Sequence, residues 1–228
     1  MTEPIGARGT PGGRPVGALL AAALLAVTLG GCATAERNPN VVGTFSEKLS
    51  PYNYKEEGNL VLMIVGVEAA RFIRREPYVP LFVQVANKSK STFQITRESF
   101  VLEDSLGHEY PMAPAQEVGA RYARLDLDRR MFQQNHSITG VGVGLFTFVS
   151  SNFFPSAGRR ALLIQQVSLP PVAYMEDVLY FPIPETGLNG VPLRLLFKVK
   201  ELPEPVQVVF EVPKTIGIFE KKKEEGGR

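Results

Sequence analysis

Two seven-residue stretches, LRLLFKV at residues 193–199 and VQVVFEV at residues 206–212, carry the strongest structural signal in the chain. In both, an apolar side chain occupies every second position, which is the period of a β-strand. Residues 201–205, which separate the two stretches, hold two prolines and suit a short loop. We therefore predict an antiparallel hairpin with one buried face and one face in water.

Shorter segments upstream also read as strands. Residues 79–87 include alternating large apolar positions, whereas residues 60–65 form an unbroken apolar run that is typical of a strand buried on both faces. Asp104 and Gly107 predict the turn of a second hairpin, because aspartate begins turns well and glycine accepts a positive φ. Further short strands are predicted at residues 93–95, 99–103, 108–111, 161–169 and 178–183.

The number and spacing of these segments indicate the fold class. About eight or nine short strands separated by turn signals are typical of a β-sandwich. The sequence shows no internal repeat of the kind that builds propellers or solenoids. We predict a mainly β fold, an immunoglobulin-like antiparallel β-sandwich over residues 59–213, with one inserted amphipathic helix.

The predicted helix covers residues 114–134. Apolar residues recur there at helical intervals, at Val118, Tyr122, Leu125 and Phe132. The opposite face is charged and includes Arg121 and Arg124. Gly119 weakens the helix. This basic face and the arginines at positions 71, 74 and 75 are candidates for contact with anionic lipid or glycan.

Residues 138–154 form an uncharged, glycine-rich segment with two interpretations. Glycines alternate with apolar residues over 140–145, and phenylalanines follow. The segment can be a buried strand, or it can contact lipid or a protein partner. The candidate contact residues are Val141, Val143, Leu145, Phe146, Phe148, Phe153 and Phe154, together with Arg121 and Arg124 of the helix.

The amino-terminal segment has the three parts of an export signal. Arg8 and Arg14 form a positive leader, residues 16–29 form an uncharged apolar core, and small residues follow it. The sequence Leu-Gly-Gly-Cys at residues 29–32 closely resembles the lipobox of bacterial lipoproteins. The resemblance implies cleavage before Cys32, the one cysteine of the chain, and acylation of that residue with diacylglycerol and a fatty acid such as palmitate.

This interpretation divides the chain into a signal peptide at 1–31, a flexible tether at 32–58, the sandwich and a charged tail at 214–228. Without Arg8, Arg14 and Glu3 of the leader, the 25 basic and 23 acidic residues become 23 and 22. Such a balance gives no indication of nucleic-acid binding. Residue Ala33 is not the aspartate that resembles an inner-membrane retention signal, so we expect outer-membrane delivery if the source has two membranes.

A second resemblance concerns the folded part. Residues 81–87 end in Asn, and residues 100–110 form a hairpin of the type apolar-x-x-Asp-x-x-Gly-x-x-Tyr. This combination is similar to exported bacterial domains of the telokin-like, immunoglobulin type, whose function is uncharacterised. The resemblance implies the fold and an export context, and it transfers no catalytic residue.

The residues that would support catalysis form no motif. The two histidines, His108 and His136, lie at no metal-ligand spacing. Ser150, His136 and Asp126 are nominal members of a hydrolase triad, but a Gly-x-Ser-x-Gly elbow is absent. We therefore expect no catalytic residue, no metal and no cofactor, and a hydrolase with dispersed catalytic residues is a minor alternative.

Taken together, these features predict a non-enzymatic, lipid-anchored cell-envelope protein. The membrane is contacted through the amino-terminal lipid, and the sandwich presents loops or an edge strand to an envelope protein or glycan. The alternative is a structural or assembly component that uses residues 138–154 to contact lipid or a partner.

Overall fold

The computed structural model describes residues 45–139, 145–155 and 163–214, with only the backbone at residues 135–139. The chain divides into residues 1–38 and 39–228, and all described residues belong to the second unit. The strands are β1 Glu47–Ser50, β2 Asn53–Glu57, β3 Val61–Gly66, β4 Tyr78–Asn87, β5 Phe93–Thr96, β6 Phe100–Glu103, β7 Glu109–Pro111, β8 Thr147–Phe148, β9 Gln166–Leu169, β10 Ala173–Pro182, β11 Pro192–Phe197 and β12 Val206–Glu211. The α-helices are α1 Ala115–Arg121 and α2 Leu125–Thr139.

The strands form three sheets. The first has the order β1-β2-β3-β4-β10-β8, the second β12-β11-β6-β7, and the third pairs β5 with β9. All neighbours are antiparallel except β8 and β10, which run parallel. The predicted mainly β fold is therefore confirmed.

One apolar core joins the three sheets. Val83 of β4 and Leu179 of β10 come from the first sheet, Leu195 of β11 from the second and Ile95 of β5 from the third, and all four are fully buried. Removal of their apolar surface from water stabilises the fold. The arrangement is sandwich-like. Strands such as β5 and β9 bury one face and show alternating burial, whereas every residue of β3 and β4 is buried.

Both predicted hairpins are confirmed. In β11 and β12, Leu193 pairs with Phe210 and Leu195 pairs with Val208, so the alternating apolar residues share one face. In the β6–β7 hairpin, the Asp104 carboxylate accepts hydrogen bonds from the backbone N–H groups of Leu106 (2.9 Å) and His108 (3.0 Å). Gly107 has the positive φ of 86° that this turn requires.

The structure corrects the predicted tether. Strands β1 and β2 lie within residues 32–58 and extend the six-stranded sheet. Tyr54 of β2 is fully buried, with its ring centroid 6.1 Å from that of Phe210. The same strand continues with three charged residues, Lys55, Glu56 and Glu57. The sequence therefore does not show the apolar alternation that would predict a strand.

The helical insertion is also corrected, because it consists of two helices. The backbone of Tyr122 is extended, with φ −109° and ψ 110°, and ends α1. The segment 138–154 is not one buried strand either, since Ile138 and Thr139 end α2 and only Thr147–Phe148 is strand. Residues 140–144, the predicted signal peptide and the tail from residue 215 lie outside the described residues.

Candidate functional site

Strands β3, β4 and β10 place a polar pair in the middle of the outer face of the six-stranded sheet. Gln84 lies between Ile64 and Glu176 in the register of the three strands. Its neighbours on this face, Leu62, Ile64 and Ala86, form a small apolar cluster separate from the main core. A glutamate and a glutamine therefore occupy a surface that is otherwise apolar.

Two elements cover this outer face from opposite ends. Helix α2 covers one end, where the rings of Phe132 and Phe82 are 5.0 Å apart. Phe146 covers the other end by packing against the Leu62, Ile64 and Ala86 cluster. Among the described residues, none fills the space between the two covers.

This space is a cleft of about 390 Å³, which we call the outer-sheet cleft. It is lined by Phe132, Gln133, Phe148, Tyr174 and Glu176. Its size lies in the usual range of small-molecule sites, and it combines aromatic walls with few polar groups. Those are general properties of a ligand pocket.

The floor of the cleft is formed by Glu176, which is hydrogen-bonded to Gln84. The Nε2 of Gln84 donates to Oε2 of Glu176 at 3.2 Å. Gln84 is 1% exposed and Glu176 is 8% exposed. The Oε1 atom of Gln84 has no hydrogen-bond donor among the described residues. A buried amide oxygen without a donor costs free energy, so this pair is expensive for stability alone.

Exposed apolar side chains lie in and near β8, whose Phe148 lines the cleft, and we call them the apolar rim. Leu145 is 90% exposed, Val172 is 55% exposed and Phe148 is 51% exposed. The rings of Phe148 and Tyr174 are 5.3 Å apart, so the rim continues directly into the wall of the cleft. Val172 has a positive φ of 56°, which is strained for a β-branched residue.

The predicted contact residues divide into four groups. Leu145 and Phe148 lie on the rim, and Phe146 covers the sheet. Phe153 and Phe154 are 1% and 2% exposed and belong to the core, which corrects their assignment as contact residues. Cys32, Val141 and Val143 lie outside the described residues. Arg121 and Arg124 lie where α1 ends and α2 begins, and neither lines the cleft.

Buried polar groups fix the segment that contains Phe153. The backbone N–H of Phe153 donates to Oδ2 of Asp177 at 2.8 Å. Arg97 donates to the carbonyl oxygens of Phe153 (2.9 Å) and Ala113, and its guanidinium carbon lies 4.6 Å from the ring centroid of Phe154. Burial raises the pKa of Asp177 to about 6. These contacts place the chain that follows the rim firmly in the core.

A second buried carboxylate, that of Asp128, belongs to the first turn of α2. The hydroxyl of Tyr122 donates to Oδ2 of Asp128 at 2.6 Å. Arg124 donates to the carbonyl oxygen of Phe72 at 2.7 Å, and its Nη2 lies 3.8 Å from Oδ1 of Asp128. Burial raises the pKa of Asp128 to about 6 and that of Tyr122 well above its ordinary value. We interpret this group as structural, because it positions α2 over the sheet.

The described residues form little that resembles a catalytic centre. They hold no group of His, Cys, Asp and Glu side chains suited to a metal ion. His108 contacts Asp104 at 3.1 Å inside the β6–β7 hairpin, which is a structural contact. Within the described part of the chain, neither helix is long and apolar enough to cross a bilayer. The nominal triad of Ser150, His136 and Asp126 stays a prediction, because the structure describes only the backbone of His136.

A larger groove, of about 610 Å³, lies beside β5 and β9. Most of the residues that line it have polar or charged side chains, including Gln94, Glu98, Gln166 and Lys198. Gln166 Nε2 donates to Gln94 Oε1 at 2.6 Å, and Lys198 pairs with Glu109 at 2.9 Å. Because none of the described residues that line this groove is aromatic, we take the smaller outer-sheet cleft as the candidate site.

Sequence patterns did not reveal the cleft. Gln84 and Glu176 lie in different strands, 92 residues apart, and only the pairing of β4 with β10 joins them. The available signal was Gln84 itself, a polar residue inside the apolar stretch of residues 79–87. Such an exception to a buried pattern indicates a functional position or a paired polar group.

Comparisons with known proteins place few constraints on the chain. No protein-family description matches it, and no curated protein does. Among solved structures, it is similar to a protein described as a "putative lipoprotein (ycdA)" from Bacillus subtilis subsp. subtilis str. 168. The two are 10% identical with a TM-score of 0.36, over 75% of this chain and 42% of that chain. The chain thus spans less than half of the neighbour's length, and a likeness this distant assigns no function.

Proposed function

We propose that the chain is a lipid-anchored protein of the bacterial cell envelope that binds another envelope component and catalyses no reaction. The observation that carries the binding role is the apolar rim of Leu145, Phe148 and Val172, which lies beside an open cleft. Exposed apolar surface bordered by polar residues is typical of an interaction site. An envelope protein or glycan is the proposed partner.

The proposed anchor is Cys32, supported by the lipobox-like sequence at residues 29–32. Residues 33–46 separate Cys32 from the first described strand, β1. Fully extended, this length of chain would span at most roughly 50 Å. Binding near the membrane would therefore occur at a high effective concentration of partner. Ala33 supports outer-membrane delivery where two membranes are present.

A second candidate is an assembly role in which the rim inserts into lipid or into an oligomer. The observation that favours it is the 90% exposure of Leu145, since a leucine this accessible suits a hydrophobic environment outside the domain. We also propose an immunoglobulin-type strand arrangement. The immunoglobulin-type arrangement is supported by two main sheets of predominantly antiparallel strands that share one core.

Mass spectrometry of the amino terminus tests the anchor. We expect the mature protein to begin at Cys32 and to carry the mass of a diacylglycerol group. An unmodified chain that begins at Met1 would contradict the anchor and leave the binding role to be tested separately.

Photo-crosslinking in envelope preparations tests the rim. A photoreactive phenylalanine analogue at position 148 should crosslink to a discrete protein or glycan, whereas the same analogue at the exposed Lys90 position should not. Crosslinks to lipid at position 148 would instead support the assembly role. Equal, diffuse crosslinking at both positions would rule out the rim as a specific interaction site.

A further inference from the structure

We infer that the outer-sheet cleft binds a primary ammonium group, such as the end of a lysine side chain, over Glu176 and against the rings of Phe148 and Tyr174. This inference rests on the proposed binding function, because it names the chemistry that the cleft recognises in its partner. Four features of the cleft carry it: the acceptors of its floor, the aromatic walls, the shape, and the cost of the buried polar pair.

The floor presents the carboxylate of Glu176 to a ligand, with the buried amide of Gln84 behind it. The carboxylate of Glu176 lines the cleft, and Gln84, bonded to it at 3.2 Å, retains an Oε1 without a donor among the described residues. Carboxylate and amide oxygens accept hydrogen bonds and donate none. The floor therefore selects a group that is rich in N–H donors, and a positive charge on that group strengthens each bond.

The walls favour a cation for an independent reason. Phe148 and Tyr174 lie with ring centroids 5.3 Å apart and planes at 52°, and Phe132 of α2 also lines the cleft. The face of an aromatic ring carries partial negative charge and attracts ammonium groups. An anion would meet both these faces and the Glu176 carboxylate, so anionic ligands are disfavoured.

The shape favours an ammonium group on an alkyl chain. An apolar stem can lie against Phe132 and Phe148, while its charged end reaches the floor. A quaternary ammonium group would satisfy the rings but has no N–H to give to the carboxylate of Glu176. A primary ammonium group has three N–H donors and can satisfy the floor and the rings together.

The pair of Gln84 and Glu176 is not explained by a contribution to stability. Ile64, the third residue of its row, and the adjacent Leu62 and Ala86 show that this face packs apolar side chains well. Apolar residues at positions 84 and 176 would avoid the cost of burying an amide and a carboxylate. A cationic ligand that pairs with Glu176 would offset part of this cost.

The test compares two ligands that differ only at the end of the side chain. The purified full chain, in detergent micelles, is titrated calorimetrically with Nα-acetyl-lysine amide and with Nα-acetyl-norleucine amide. We expect the lysine derivative to bind in the millimolar range or tighter, and the norleucine derivative at least about ten-fold more weakly. Equal affinities would show an apolar slot and overturn the inference, as would the absence of binding by both.

Variants assign the binding to the floor. Glu176→Gln retains the size of the side chain and removes its charge, so it should weaken lysine-amide binding by about ten-fold or more and leave norleucine-amide binding unchanged. Glu98→Gln is the matched control, because Glu98 is an exposed carboxylate in the other groove. If Glu176→Gln fails to fold, the ligand pair on the unaltered protein still decides the question.

Spermidine, titrated in parallel, separates two sources of the same chemistry. Tighter binding of spermidine would assign the cleft to a soluble polyamine, and tighter binding of the lysine amide would assign it to a protein side chain. These titrations involve neither Cys32 nor its lipid. A failed titration therefore leaves the anchor intact, and an unacylated Cys32 leaves the titration result intact.

Discussion

Val172 combines a strained backbone conformation with an exposed apolar side chain. It has a φ of 56° and is 55% exposed, although valine is among the residues least suited to this conformation. The left-handed conformation costs a residue with a Cβ roughly 1–2 kcal/mol, and glycine avoids this cost. An exposed valine at this position makes sense if its apolar side chain serves the rim.

We predict that Val172→Gly stabilises the fold. Relief of the left-handed strain exceeds the roughly 0.5–1 kcal/mol that glycine loses through its flexible unfolded state, so the gain should be about 0.5–1 kcal/mol in urea unfolding. The same variant should crosslink less to the partner through position 148. Val101→Gly in β6, where the backbone has no positive φ, is the control and should destabilise. A loss of stability in Val172→Gly would show that Val172 is not strained.

Asp128 gives a prediction about pH. Burial raises the pKa of Asp128 and that of Asp177 from 3.8 to about 6. Between about pH 4 and pH 6 the folded chain therefore retains protons that the unfolded chain has released. For these two groups, the free energy of unfolding falls as pH rises across this window and is constant above it.

Asp128→Asn should remove the contribution of one of the two groups. The slope of the unfolding free energy against pH that the two groups cause together should therefore fall by about half. The asparagine stays neutral at every pH and can still accept the hydrogen bond of Tyr122. Urea unfolding at intervals from pH 4 to pH 8 measures the slope, with the exposed Asp126→Asn as control. A difference between variant and unaltered protein that does not vary with pH would contradict the raised pKa.

At the level of secondary-structure elements, Arg97 connects the segment after the rim to the rest of the molecule. Its guanidinium donates to the carbonyl oxygens of Phe153 and Ala113 and lies over the ring of Phe154. Arg97→Met retains much of the apolar stem but leaves both carbonyl groups without this donor. We predict a loss of about 2–4 kcal/mol in urea unfolding, with faster hydrogen exchange at residues 151–155.

The exposed Arg130→Met is the matched control for this variant. A surface substitution of this kind should change the free energy of unfolding by less than about 0.5 kcal/mol. If Arg97→Met and Arg130→Met had the same effect, the contacts of Arg97 would not hold this segment in the core.

The elements also show what the sequence could and could not predict. The hairpin of β11 and β12 was predictable because Leu193, Leu195 and Phe197 alternate on one buried face. β2 was missed because its buried Tyr54 is followed by three charged residues. The break between the helices was missed because Tyr122 satisfies helical spacing, yet its hydroxyl bonds to Asp128 from an extended backbone.

The cleft could not be predicted from the sequence either, because its residues are far apart along the chain. Gln84 and Glu176 become neighbours only through the register of β4 and β10. No local period records such a pairing, because two strands far apart in sequence meet in the sheet. Aromatic residues near the cleft were predicted as contacts, but the sequence could not separate Phe148 on the rim from Phe153 in the core.

For the whole molecule, charge balance predicts how the protein is held at a membrane. With the leader removed, 23 basic and 22 acidic residues remain, so the mature chain has almost no net charge to attract an anionic bilayer. Membrane residence should then depend on the proposed lipid at Cys32 and not on the arginines of the α1–α2 region. A form that begins at Ala33, exported in a bacterial host behind an ordinary cleavable signal peptide, should fractionate with soluble protein at both low and high salt. The lipidated protein should remain with membranes in both. Retention of the Ala33 form at low salt and its release at high salt would instead show that the basic residues bind the membrane, because only an electrostatic contact weakens with ionic strength.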